Sequence, residues 1–217
     1  MRPKADLHVT IIAKAPVAGR VKTRLCPPCS PQQAADVAAA ALADTFDAVD
    51  AVATLTGARR VLLLDGGVQP WMPSHFDVIA QRGDGLGERL QNGFVDAGPG
   101  VIIGMETPHA AAWLTDGIAA VRAGRNVLGP ATDGGYWMIG LCAESMHFIE
   151  DVFHGVPMST ASTGVAQLRT LRALGRRVTL LPEARDLDDF DDLCEVAAAQ
   201  RGGRLGAVAA EVLASVN

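Results

Sequence analysis

Asp186 and Asp188 stand two residues apart in "ARDLDDFDDL". Alternate side chains of an extended segment point the same way, so these two carboxylates can converge on one cation. Asp189 then suits the cap of a following helix, with Asp191 and Asp192 in its first turn, where negative charge is favourable. A run of acids is more often a solvated face, but this one follows an apolar strand expected at 178–181. A further acid, Glu106, stands in "GMETPH" just past another apolar run. That place suits a Mg²⁺ ligand, and equally the N-terminus of the helix that follows Pro108.

The complementary charge lies near the start of the chain. "AKAPVAGRVKTRL" carries Lys14, Arg20, Lys22 and Arg24, and it holds two of the three lysines in the protein. Lysine offers phosphate a point charge and arginine a planar fork. Gly19 permits a left-handed or close backbone, and Pro16 stiffens the entry. The spacing of a P-loop is absent. Four cations directly after a strand point to a phosphate site.

Three other stretches carry chemistry. "RGDGLGERL" places glycines before a helix, whose free N–H groups can meet a base or phosphate. "GPATDGGYWMIGL" is either a plain hairpin or an acceptor pocket, with Asp133 for a substrate hydroxyl or a cation and Tyr136 beside it. "CPPC" at Cys26–Cys29 could serve thiol–disulfide exchange, because a strand, C-x-x-C and a helix is the thioredoxin-like order. Most of the chain would then have no role. No H-E-x-x-H or G-x-S-x-G motif occurs, so nucleophilic hydrolysis has little support.

The elements that must position these residues read as alternating strands and helices. Strands are expected at 7–13, 60–65, 76–80, 101–104, 126–130, 136–141 and 178–181. Helices are expected at 32–49, 84–97, 109–123, 162–174, 189–200 and 206–216, the first with Ser30 as cap and Pro31 in its first turn. This alternation predicts a mostly parallel sheet covered on both faces, with ligands at the carboxyl ends of its strands.

Composition agrees. Hydrophobic residues make up 49% of 217, enough for a large core in a single domain over 1–217. The net charge of −5 opposes general affinity for nucleic acid or anionic membrane. No run can span a bilayer, and the first apolar run is short for a signal peptide, so a cytoplasmic protein is expected. The four cysteines do not form a disulfide framework. A homodimer stays open.

"AKAPVAGRVKTRL", "RGDGLGERL", "GMETPH", "GPATDGGYWMIGL" and "ARDLDDFDDL", in this order, resemble the nucleotide-diphospho-sugar transferase superfamily. More narrowly, the chain looks like the glycosyltransferase-like transferases found in radical-SAM and selenodomain neighbourhoods. "KTRL" and the later "DGG" are also similar to 2-phospholactate guanylyltransferase. The resemblance implies the GT-A fold, a Rossmann-like three-layer α/β/α sandwich with a mostly parallel mixed sheet. It implies a donor-phosphate loop at Lys14, Gly19, Arg20, Lys22, Thr23 and Arg24, and a base or ribose near Asp84 and Gly85. It places Mg²⁺ or Mn²⁺ on Glu106 with Asp186 or Asp188, and the acceptor at Asp133 and Gly134, beside Tyr136 of the turn. Three features depart from that pattern: Glu106 stands for an aspartate, Met158-Ser159-Thr160 for Trp-Ser-Thr, and the Cys26–Cys29 insert is not shared.

The function expected is transfer from a nucleotide-activated donor to a small acceptor, with Lys22 and Asp133 as catalytic groups. Nucleotidyl transfer from a nucleoside triphosphate is slightly favoured over glycosyl transfer from a nucleotide sugar. A nucleotide-binding protein without turnover and a thiol oxidoreductase are the other readings.

Overall fold

The computed structural model describes residues 6–199 and 202–216, side chains at 109–111 and 196–199 excepted. Among these, the strands β1 (His8–Lys14), β2 (Arg59–Asp65), β3 (Asp77–Ala80), β4 (Gly100–Gly104), β5 (Asn126–Pro130), β6 (Tyr136–Leu141) and β7 (Val178–Leu180) join in one sheet. Their spatial order is β3-β2-β1-β4-β6-β5-β7. Only β6 runs against the others, antiparallel to both β4 and β5. The expected strands are all present, two of them with the expected ends and the rest shifted by one residue.

The helices are α1 (Pro31–Thr56), α2 (Leu86–Ala97), α3 (Leu114–Arg122), α4 (Ile149–Phe153), α5 (Thr163–Ala173), α6 (Phe190–Ala199) and α7 (Arg204–Val216). Helix α1 starts where the sequence says it should. Ser30 Oγ accepts from Gln33 N–H at 3.2 Å, and Gln33 Oε1 accepts from Ser30 N–H at 2.7 Å, a complete capping box. It then runs to Thr56, seven residues beyond the expected stop at 49, where Gly57 with φ 69° ends it. The expected helix at 109–123 begins instead as a 3-10 turn over Pro108–Trp113. The helical segment at 145–153 was not expected. Position 200, the last of the helix expected at 189–200, lies outside the described residues.

The strands β1, β2, β4, β5 and β6 are largely buried on both sides because helices cover both, while the edge strands β3 and β7 are partly exposed. Val9, Ile11 and Ala13 of β1 face α1 and α3, in a core with Leu42, Phe46 and Ile118. Ile12 faces α2, α4 and α5, beside Phe94, Ile102, Leu128 and Ile139. A third cluster joins α1 to α6 and α7. It decides the site, because it contains Leu25 from the basic loop and Leu187 from the acidic segment, both fully buried. Each such burial contributes about 1.5–3 kcal/mol. Two distant stretches are thereby held on one core.

One polar pair is buried within the sheet. His8 Nε2 lies 2.9 Å from the carbonyl oxygen of Gly98, and Thr10 Oγ1 lies 2.7 Å from His8 Nδ1. Burial holds the imidazole neutral, its pKa lowered to about 4.

Candidate functional site

Strand order reverses between β1 and β4, because the chain builds outward from β1 to β3 and then returns to the other side. Crevices form at such points, outside the carboxyl ends of the strands. Here a cleft of about 640 Å³ opens, lined by residues from the ends of both strands.

The basic loop forms one wall. Val21 and Leu25 are buried, and the residues between and beside them, Arg20, Lys22 and Arg24, line the cleft. These two buried anchors hold the loop while its charged side chains line the cleft. Lys14, the last residue of β1, and Thr23, the first of a 3-10 turn, line it too. Gly19 does not line it. Its φ of 75° shapes the turn before Arg20, whose N–H bonds to Val17 O at 3.0 Å.

The acids form the facing wall. Glu106 follows β4, and Asp186 and Asp188 follow β7. Leu187 turns into the core, so its two neighbours share the cleft side, as alternation requires. One oxygen from each of Glu106, Asp186 and Asp188 lies within 4.8 Å of the others. Asp189 caps α6, accepting from Asp192 N–H at 3.0 Å.

Lys22 is placed otherwise than as a free phosphate ligand. Its ammonium is 2.6 Å from Glu106 Oε1 and 3.4 Å from Asp188 Oδ1, and it donates to the carbonyl of Leu187. The side chain is 4% exposed. Its backbone is left-handed, with φ 49° and ψ 38°, which costs a non-glycine residue about 1–2 kcal/mol. Arg24 Nη1 also pairs with Asp188, at 2.9 Å. Lys14 and Arg20 line the cleft, and among the described residues neither has a carboxylate partner.

The acids are unevenly neutralised. Burial raises the Glu106 carboxyl, against the opposing charge and hydrogen bond of Lys22. Asp186 has no ion pair among the described residues. Burial, then the charges of Asp133, Asp188 and Glu106, push its pKa up to about 6. Thr107, next to Glu106, lines the cleft and is 2% exposed, yet its Oγ1 has no partner. A buried hydroxyl and an unpaired carboxylate beside two others fit a divalent cation with oxygen ligands.

The remaining wall is formed at β2, β3 and α2. Asp84 and Gly85 line the cleft at the entry to α2. Gly85 is the N-cap residue, and Asp84 N–H bonds to Glu88 Oε2 at 2.9 Å. Sequence reasoning missed Asp65, Gln81 and Arg89 here. Arg89 reaches Asp65 Oδ2 at 3.1 Å and Gln81 Oε1 at 3.3 Å, and Gln81 donates to Ala13 O at 2.7 Å. Asp65 could have been found as the acid that ends "RVLLLD" at a strand's carboxyl end.

Of the residues expected at the acceptor, Tyr136 lines the cleft. Its hydroxyl lies 3.4 Å from Gln167 Oε1, and burial raises its pKa. Asp133 and Gly134 do not line the cleft. Asp133 Oδ1 accepts from Gly135 N–H at 2.7 Å within the β5–β6 turn, and its charge reaches Asp186. Gly134 has φ 88° and packs against the backbone of Ala161. Cys29 is buried and burial raises its thiol, the opposite of what an attacking thiolate needs.

Strand order, layers and a cleft at the β1–β4 switch define the chain as a GT-A-like α/β protein with the nucleotide-diphospho-sugar transferase fold. It belongs to the family DUF2064, described as an uncharacterized protein conserved in bacteria, whose model matches residues 29–160. A crystal structure of a candidate nucleotide-diphospho-sugar transferase from Desulfovibrio desulfuricans G20 aligns with TM-score 0.83 and 24% identity, over 97% of this chain and 96% of that one. Rv0371c from Mycobacterium tuberculosis H37Rv aligns with TM-score 0.54 and 21% identity, over 88% and 98%. CMP:2-keto-3-deoxy-manno-octonic acid synthetase complexed with CTP aligns with TM-score 0.52 and 12% identity, over 90% and 98%. At these identities the likeness is one of fold. Among curated proteins none matches the chain. Among the described residues no helix is long and apolar enough to cross a membrane.

Proposed function

We propose that this protein is a divalent-metal-dependent transferase that uses a nucleotide-activated donor, and that the reaction is nucleotidyl transfer from a nucleoside triphosphate to a small acceptor. The observation that carries this reading is the meeting of the basic loop and three carboxylates in one cleft at a topological switch point. A polyphosphate needs cations on its oxygens, and Lys14 and Arg20 supply them. The names of two structural neighbours support the class: one is a candidate nucleotide-diphospho-sugar transferase, and the other, a synthetase, was crystallised with CTP.

Glu106, Asp186 and Asp188 would hold Mg²⁺ or Mn²⁺. The ion would offset charge developing on the leaving phosphates. Lys14, Arg20 and Arg24 stabilise the same charge electrostatically. Thr23, at the start of its 3-10 turn, adds a hydroxyl donor. Asp84 and Gly85 flank the base or ribose. Asp133 Oδ2 orients the acceptor hydroxyl near Tyr136, while Oδ1 stays on the turn.

Glycosyl transfer from a nucleotide sugar would use the same walls, so the products separate the two. A thermal-shift panel of nucleoside triphosphates and nucleotide sugars, with and without Mg²⁺ or Mn²⁺, identifies the donor. A true ligand at ~100 times its Kd adds roughly 2.7 kcal/mol. Pyrophosphate release then marks nucleotidyl transfer, and nucleoside diphosphate release marks glycosyl transfer. No shift from any nucleotide would refute the proposal.

A further inference from the structure

An ammonium has three N–H donors, and those of Lys22 meet three acceptors: Glu106 Oε1, Asp188 Oδ1 and the carbonyl of Leu187. Two of those acceptors belong to the trio that would hold the metal. The side chain that reaches them is 4% exposed and leaves a backbone in the left-handed region. A strained residue kept in place by its partners is released when they are taken. The lone pairs that hold Lys22 are not free for a divalent ion at the same point, and the two cations repel strongly at this range. The trio nevertheless keeps an unmet demand for positive charge, because Asp186 has no ion pair among the described residues and Lys22 leaves it out.

We propose that Lys22 is an exchangeable counter-ion, which closes the carboxylate site before metal arrives and is displaced by the metal into the donor-phosphate wall. This rests on the metal reading above. Lys22 lies on the same loop as Arg20 and Arg24, which already line the cleft, so its released ammonium joins them at the phosphates. Without metal, the cleft has lost one phosphate ligand to the acids. With metal, it gains the ion and the lysine together. Metal and nucleotide therefore favour each other's binding through one side chain.

The native chain tests this by lysine acylation with an N-hydroxysuccinimide ester, read by peptide mass spectrometry. Only three lysines are present, and Lys14 is the exposed reference. Lys22 is expected to label slowly in EDTA, and at least roughly tenfold faster in saturating Mn²⁺ without nucleotide, with Lys14 unchanged. In equilibrium dialysis, Lys22→Met binds Mn²⁺ roughly tenfold or more tightly than the native chain, and Lys22→Arg does not. If Mn²⁺ binds while Lys22 stays protected, the exchange is wrong and the metal site stands. If Mn²⁺ does not bind the native chain or Lys22→Met, the metal reading itself fails and takes the exchange with it. The labelling arm needs no variant to fold.

Discussion

Glu106 and Asp188 share a single ammonium, with Lys22 Nζ at 2.6 Å from one and 3.4 Å from the other. Both acids follow strands on one side of the β1–β4 switch, β4 and β7, whereas Lys22 follows β1 on the other, so this contact joins the two halves of the sheet. Glu106→Gln and Asp188→Asn each remove a charged ligand from that point. Metal affinity should drop by no less than the ~10–100-fold that changes around a ligand shell cost. Turnover should fall with it, and EDTA should abolish turnover in the native chain. Retained Mn²⁺ affinity in both variants, measured by dialysis, would contradict the assignment.

Asp186 gives the site a pH dependence. Without metal its pKa is raised to about 6, by burial and then by neighbouring charges. A carboxyl must lose its proton to ligate, so metal affinity should fall as pH drops through about 6, up to roughly tenfold per unit below it. Asp186→Asn should weaken binding and flatten that profile. An unchanged slope in the variant would remove Asp186 from the ligand set.

Lys14 and Arg20 should govern the donor. Neither has a carboxylate partner among the described residues, so replacing either by Met leaves no acid unpaired. Loss of one charge-assisted hydrogen bond to phosphate should weaken nucleotide binding by roughly 10–100-fold. It should also lessen the salt dependence of that binding, because fewer ionic contacts remain to be screened. Calorimetric titration at two ionic strengths reads both effects. Wild-type affinity and salt slope in the double variant would place the phosphates elsewhere.

Gly134 answers to shape rather than charge. A Cβ there would lie 2.1 Å from the carbonyl oxygen of Ala161, and its φ is 88°. Gly134→Ala should destabilise by about 1–3 kcal/mol through this overlap, with added backbone strain. Gly19→Ala meets no atom within 4 Å and carries only the strain of its φ of 75°. Urea unfolding should therefore rank Gly134→Ala well below Gly19→Ala, and the reverse order would refute the packing argument.

His8 predicts acid lability. Its folded pKa of about 4 lies below the ordinary 6.5, so the unfolded chain binds a proton that the folded chain refuses. This contribution to stability is complete above the ordinary value and is lost as pH falls from about 6.5 toward 4. The loss amounts to about 2 kcal/mol by pH 5. His8→Gln should be less stable at pH 7 but lose less between pH 7 and 5. Parallel denaturation curves of the two proteins over that range would count against a neutral buried imidazole.

The residue order alone determined the alternation of elements, and with it the sheet. Hydrophobic runs of the right length and the Ser30-Pro31 start are local signals that survive without tertiary context. Leu187 between two aspartates likewise announced that Asp186 and Asp188 would share a face, because that follows from the pleat. Tertiary structure alone decided which charges meet. Lys22 reads in sequence as one of four similar cations, yet it is the one buried against Glu106 and Asp188. Leu25 and Leu187 packing into one cluster sets that choice. Arg89, with its partners Asp65 and Gln81, was equally hidden. Such partners come from other strands and loops, and no local periodicity encodes a distance across a sheet.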